Sequence, residues 1–239
     1  MDWQSLSETA GQFVASGFFD TMVVAALGAF FGAWGAQRVI SRNQTKQAMI
    51  TELNSVNAAL ALCFSICNHF ISLKLQHVRP MRDKYTQAKQ ALDQFLEAAK
   101  THKGPQQIGY TFEADLRTIS PVKVPTEILE RHVFEKISAR GRAPIAAVSL
   151  VGAIDGLDKS IKYRNDLIAE FQKAPLPSHE ERAKMYFGLR TAAGVIDERF
   201  PSTVEGIYAQ TDDCIFFSRI LADDLLEYGT KLRVRPGTS

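Results

Sequence analysis

Neither lysine nor arginine occurs before Arg38 in this 239-residue chain. A cleaved secretory leader opens on a basic segment, whereas residues 1–20 carry Asp2, Glu8 and Asp20, so the N-terminus does not read as one. Cysteine is scarce as well. Cys63, Cys67 and Cys214 make an odd count without the spacing of a disulfide framework, and such thiols behave as small hydrophobes in a reducing compartment. The net charge of +2 is too small to imply a polyanionic partner, so charge does not suggest nucleic acid. No Gly-rich turn follows a strand pattern, which argues against a phosphate-cradling nucleotide site. There is no internal repeat and no low-complexity run. With 46% hydrophobic and 23% charged residues, the chain has the composition of a folded protein and is too apolar for disorder.

What the chain does have is TMVVAALGAFFGAWGAQ, residues 21–37, without an ionisable group. A bilayer core needs about 20 mostly apolar helical residues, and this stretch with its flanks comes close. Arg38, Arg42 and Lys46 all follow it. By the positive-inside rule the basic flank is cytoplasmic, so the expected protein is a single-pass inner (plasma) membrane protein with its N-terminus outside. The expected divisions are a short external segment at 1–12, an anchor at 13–40, a cytoplasmic helical bundle at 41–232 and a frayed tail at 233–239.

A second apolar stretch, residues 56–73, competes for the membrane. Asn54, Asn57, Ala61, Ser65, Asn68, Ser72 and Gln76 form a polar or small stripe along it. Leu53, Val56, Leu60, Phe64, Cys67, Ile71, Leu75 and Val78 form an apolar stripe opposite. Two such faces predict a helix packed on protein on its apolar side. A span there would also export Lys74, Arg79, Arg82 and Lys84, against the charge rule.

The remainder reads as all-α. No Gly or Pro interrupts residues 36–79, so the anchor is expected to run into a long helix that Pro80 kinks or breaks. An amphipathic helix follows to Gly104-Pro105, then a loop through 124, within which Ile108 to Ile119 alternates weakly. Helices are expected from Pro125 to Arg140-Gly141 and from Pro144 to about residue 173. After a Pro175/Pro177 linker, capping-box spacings at Ser178/Glu181 and Ser202/Glu205 start helices at 179–199 and 202–229. Five or six helices make an antiparallel bundle the natural architecture.

Four constellations are candidates for function. In the anchor, Gly28 and Gly32 form GxxxG, and Ala25, Ala29, Ala33 and Ala36 extend the small-residue face, which predicts homo-oligomerisation by close helix approach in lipid. Asp20, at the outer end of the span, either caps the helix N-terminus or belongs to a carboxylate ring at the mouth of an oligomeric pore. Cys63, Cys67 and His69 fail as a metal set, because His69 points away from the two thiols and no fourth ligand is near; core cysteines are the expectation, with no metal or other cofactor. Asp155–Lys159, Asp158–Lys162 and Glu180–Lys184 read as solvated i,i+4 pairs.

The fourth is Arg164, which counting from Ile161 to Ile168 puts on a core stripe, where a guanidinium must find a carboxylate or line a cleft. Asp212, Asp213, Asp223 and Asp224 are the expected partners. Arg164-Asn165 also resembles the start of the RNxxxH motif of HEPN ribonucleases, with Ala169 where the family has its histidine. The resemblance implies at most an inactive or RNA-binding relative in which Arg164 and Asn165 face RNA. The leading expectation is a non-enzymatic, membrane-anchored interaction protein (a sensor, scaffold or membrane-acting effector) contacting lipid, its own copies and a protein partner. A HEPN-like RNA-binding domain and a pore are the alternatives.

Overall fold

The computed structural model describes residues 18–101, 109–173, 178–191 and 194–234, with side chains from Thr21 onward. Of these residues 84% are helical, and no strand occurs among them. The α-helices are α1 (Phe18–Leu73), α2 (Arg79–Thr101), α3 (Thr126–Arg131), α4 (Arg142–Lys173), α5 (His179–Phe187) and α6 (Arg199–Val234). A π-helical turn at Lys74–Val78 joins α1 to α2, and another at His132–Lys136 prolongs α3. Segment 1–12, Gly104-Pro105, Pro175, Pro177 and the tail beyond Val234 lie outside the described residues.

The chain divides into two compact units, one ending at Thr51 and the other Glu52–Arg235. In the first, every side chain from Thr21 to Ala48 is exposed. Met22, Val24, Phe30 and Trp34 are 55–68% accessible. One helical run, Thr21–Thr101, is long and apolar enough to cross a membrane, with mean hydropathy 1.6 over an 18-residue window. That window is 33% buried, so its peak lies on the second apolar stretch and not on the wholly exposed first one.

In the second unit the packing face of α1 differs from the expected stripe. Val56, Ala59, Cys63, Ile66, Phe70 and Leu73 enter the core, while Phe64, Ile71 and Leu75 stay 59%, 37% and 57% exposed. Apolar residues cover most of the helix circumference, so periodicity alone does not choose the face. Small residues mark it: Ala59 and Cys63 are fully buried on that face, and Gly229 of α6 lies against Val56, where an added Cβ would stand 3.1 Å from Val56 Cγ1.

Helix α6 runs antiparallel to this helical run. The Tyr228 hydroxyl donates to Glu52 Oε1 at 2.6 Å, Lys74 pairs with Asp212, and Arg82 pairs with Glu205 at 3.0 Å. It is also antiparallel to α4, where Arg142 forks onto Asp224 and Gly156 faces Gln210. The run through α2 and helix α4 therefore point the same way, and the chain must return between them. Residues 109–125 do so without secondary structure, and Ser138 N–H then donates to Glu52 at 2.6 Å.

Pro80 does not end the helix. It has no N–H for the carbonyl of Gln76, and the π turn just before it widens the ladder, with Arg79 N–H bonding Lys74 O. The expected 179–199 helix stops at Phe187, because Gly188 (φ +66°) closes it in the left-handed conformation. Ser178 does cap this helix, accepting from Glu181 N–H. The last helix begins at Arg199, three residues earlier than expected. Asp197 Oδ1 accepts the Arg199 N–H, and Ser202 is already inside the first turn, bonding Glu198 O. It then continues past the expected end at 229 to Val234.

Candidate functional site

Arg164 lies on α4 at 1% exposure, on the stripe with Ile161 and Ile168. Its guanidinium donates from Nη1 to Arg117 O at 2.7 Å and from Nη2 to Asp115 O at 3.1 Å. Phe200 lies beneath the guanidinium, 5.5 Å from ring centroid to Cζ. Asn165 completes the arrangement: its Oδ1 accepts Ile119 N–H at 3.1 Å and its Nδ2 donates to Ile119 O at 2.7 Å. The Tyr186 hydroxyl accepts Asp115 N–H from the other side. Two side chains of one helix thus take the place of a neighbouring β-strand for an extended segment that has none.

Arg164 therefore meets backbone carbonyls, where the sequence pointed to α6 carboxylates. Three of those four acids are engaged elsewhere: Asp212 by Lys74, Asp223 by Arg219 and Asp224 by Arg142. Burial presses the Arg164 proton affinity down, and Asp115 opposes that. The Asp115 carboxyl is in turn held below its ordinary range, chiefly by hydrogen bonds from Arg117. Arg164 Nε is buried without a partner. The clamp gives the Arg-Asn pair a structural role in holding residues 115–119.

On α1, Ala25, Gly28, Ala29, Gly32, Ala33 and Ala36 are all exposed. A Cβ added at Gly28 or Gly32 meets nothing within 4 Å, so among the described residues no contact requires glycine there. Asp20 belongs to α1, and its side chain is outside the described residues.

The remaining candidates divide by burial. Desolvation pushes the Cys63 and Cys214 thiols up to about 12, which leaves them protonated and poor as nucleophiles or metal ligands. His69 Nδ1 is spent on Ser65 O at 2.7 Å, and among the described residues no three His, Cys, Asp or Glu side chains are grouped to hold a metal ion. Glu180–Lys184 forms at 2.6 Å. Asp158 is not the solvated partner expected for Lys162: its Oδ1 is buried and unpaired, and burial raises its pKa.

Two features had no signal in the reading of the sequence. Lys74 and Arg82 both stack 4.1 Å from the Tyr208 ring centroid, so the π turn between them is stapled to α6. A cleft of about 490 Å³ opens between Ser160 and Tyr163 of α4 and Asp197, Arg199 and Ser202 at the start of α6. Arg199 is matched there by Asp197 at 2.8 Å and Glu170 at 3.5 Å, and Glu198 also lines the cleft, so it offers no unmatched cation to an anionic ligand. No protein-family model matches the chain, and no curated protein or solved structure matches it.

Proposed function

We propose that the chain is a non-enzymatic, single-pass membrane protein that self-associates through its N-terminal helix and carries an interaction domain of bundled helices on the cytoplasmic side. The supporting observation is the exposure of every side chain from Thr21 to Ala48. Residues such as Val24, Phe30 and Phe31 are aliphatic or aromatic and half or more uncovered. Water is a poor solvent for such a helix, at about 25 cal/mol per Å² of apolar surface, and lipid is a good one. The glycines that meet nothing among the described residues are then free to meet a second anchor, where small residues permit the close packing that drives association in lipid. The basic flank of Arg38, Arg42 and Lys46 sets the orientation.

Carbonate extraction of membranes combined with the mass of the detergent-solubilised protein tests this. The expected result is a membrane-retained, defined oligomer that loses its order in Gly28→Leu with Gly32→Leu. Recovery in the soluble fraction refutes the anchor, and a strictly monomeric particle refutes self-association.

A further inference from the structure

We propose that the exposed apolar edge of α1 between Asn57 and Ile71 is where a second copy of this chain pairs, parallel and in register. The proposal rests on the anchor self-association argued above. Within the second unit, α1 has two apolar faces and the chain uses only one. Val56, Ala59, Cys63, Ile66 and Phe70 are buried against the rest of the fold. Leu60 and Cys67 are half-buried beside them, and Phe64 and Ile71 are open.

The choice of a second copy comes from the register of the sequence. Leu60, Phe64, Cys67 and Ile71 are spaced four, three and four apart, the alternation of a coiled-coil seam. Counting the same sevens backward passes Asn57, Leu53, Ile50, Lys46, Asn43 and Val39. It then lands on Ala36, Gly32, Ala29 and Ala25, the small residues of the anchor. In this register Lys46 is the one charged position from Ala25 to Ile71, and none of the positions is buried. Copies inserted by the same rule must run parallel, so anchors that meet on this face bring identical seam residues together. Asn43 and Asn57 would then stand at a positions, where a buried amide pair fixes register and favours two strands.

The flanks argue against a lipid surface as the occupant. Interfacial helices carry Lys and Arg beside their apolar face, whereas Ala61 and Asn68 border this one.

The full-length protein in its membrane, treated with a short bismaleimide, is the test. Cys67 sits at a seam position, and the other two thiols are buried. A cross-linked dimer is expected from the natural chain and is expected to vanish in Cys67→Ser. Ser65→Cys placed in that background, nearly opposite the seam, should not cross-link. Ala29→Cys in the same background reports on the anchor separately. Cross-linking at residue 29 with none at Cys67 overturns this proposal and leaves the anchor reading intact, and failure at both overturns both. Equal cross-linking at Ser65→Cys overturns it as random collision. Labelling of Cys67 only by a lipid-soluble maleimide, without dimer, overturns it by giving the stripe to the bilayer.

Discussion

Asn165 carries more of the fold than its size suggests. Its amide is the partner of both the N–H and the carbonyl of Ile119, a residue whose side chain is buried. Asn165→Ala leaves both groups without a partner in a place water enters poorly, and each such group costs about 1–3 kcal/mol. Chemical denaturation of the full chain in detergent, followed by circular dichroism, should show a loss of about 3 kcal/mol. A loss below about 1 kcal/mol would mean that the return segment is held by its apolar residues alone. Asp158 gives the opposite sign. Its folded pKa is raised above the ordinary 3.8 by burial, so the folded state binds the extra proton and stability falls as pH rises through that raised value. Asp158→Asn should therefore raise the melting temperature at neutral pH. The gain should shrink to nothing below pH 3.8, where both states are protonated. A constant gain across the range would assign the effect to packing.

Among the elements, α5 and its exit show where the sequence speaks and where it stays ambiguous. The Ser178 cap was readable because a hydroxyl three residues before a helical carboxylate has few other uses. The stop at Gly188 is hidden in the sequence, although glycine is the residue that takes a φ of +66° without strain. Its neighbours Tyr186 and Phe187 continue a helical pattern, and only their burial against Tyr85, Phe112 and Phe200 shows that the chain must turn there. Gly188→Ala should cost about 1–2 kcal/mol for the left-handed backbone, and more if the added Cβ, 3.1 Å from Pro201 Cγ, displaces the start of α6. Thermal unfolding measures it. The loop expected through 124 is a loop, and within it Tyr110, Phe112, Ala114 and Leu116 alternate as half-buried residues. The strand this alternation suggests has no neighbour in sequence, because Arg164 and Asn165 replace one, and a side chain acting as a β-ladder leaves no periodic trace. The rotation of α1 was hidden for a related reason. Hydropathy counts apolar surface, while close approach to Gly229 depends on how little surface there is.

For the whole molecule, the proposed arrangement rests on charge asymmetry around residues 21–37 and on the exposure of that helix. The N-terminal side carries Asp2, Glu8 and Asp20 with no cation, and the C-terminal side carries Arg38, Arg42 and Lys46. Lys and Arg close to a span determine which end stays in the cytoplasm, and acidic residues contribute little. In the second unit the buried residues are already packed together in one core and gain nothing from entering lipid. Replacing Arg38, Arg42 and Lys46 with Gln removes the nearest cations while leaving the apolar run, the GxxxG face and the helical core unchanged. Paired C-terminal reporters, one active only in the cytoplasm and one only outside, should then change from a single orientation to a mixture. The nearest remaining basic residue, Lys74, is 28 positions beyond Lys46 and lies in the domain against Asp212, too distant to hold the bias. An unchanged cytoplasmic signal would shift the cause from local charge to the folded domain itself, which would then have to fold before insertion is complete. In that case deleting the domain and keeping residues 1–51, charges included, would free the anchor to insert either way.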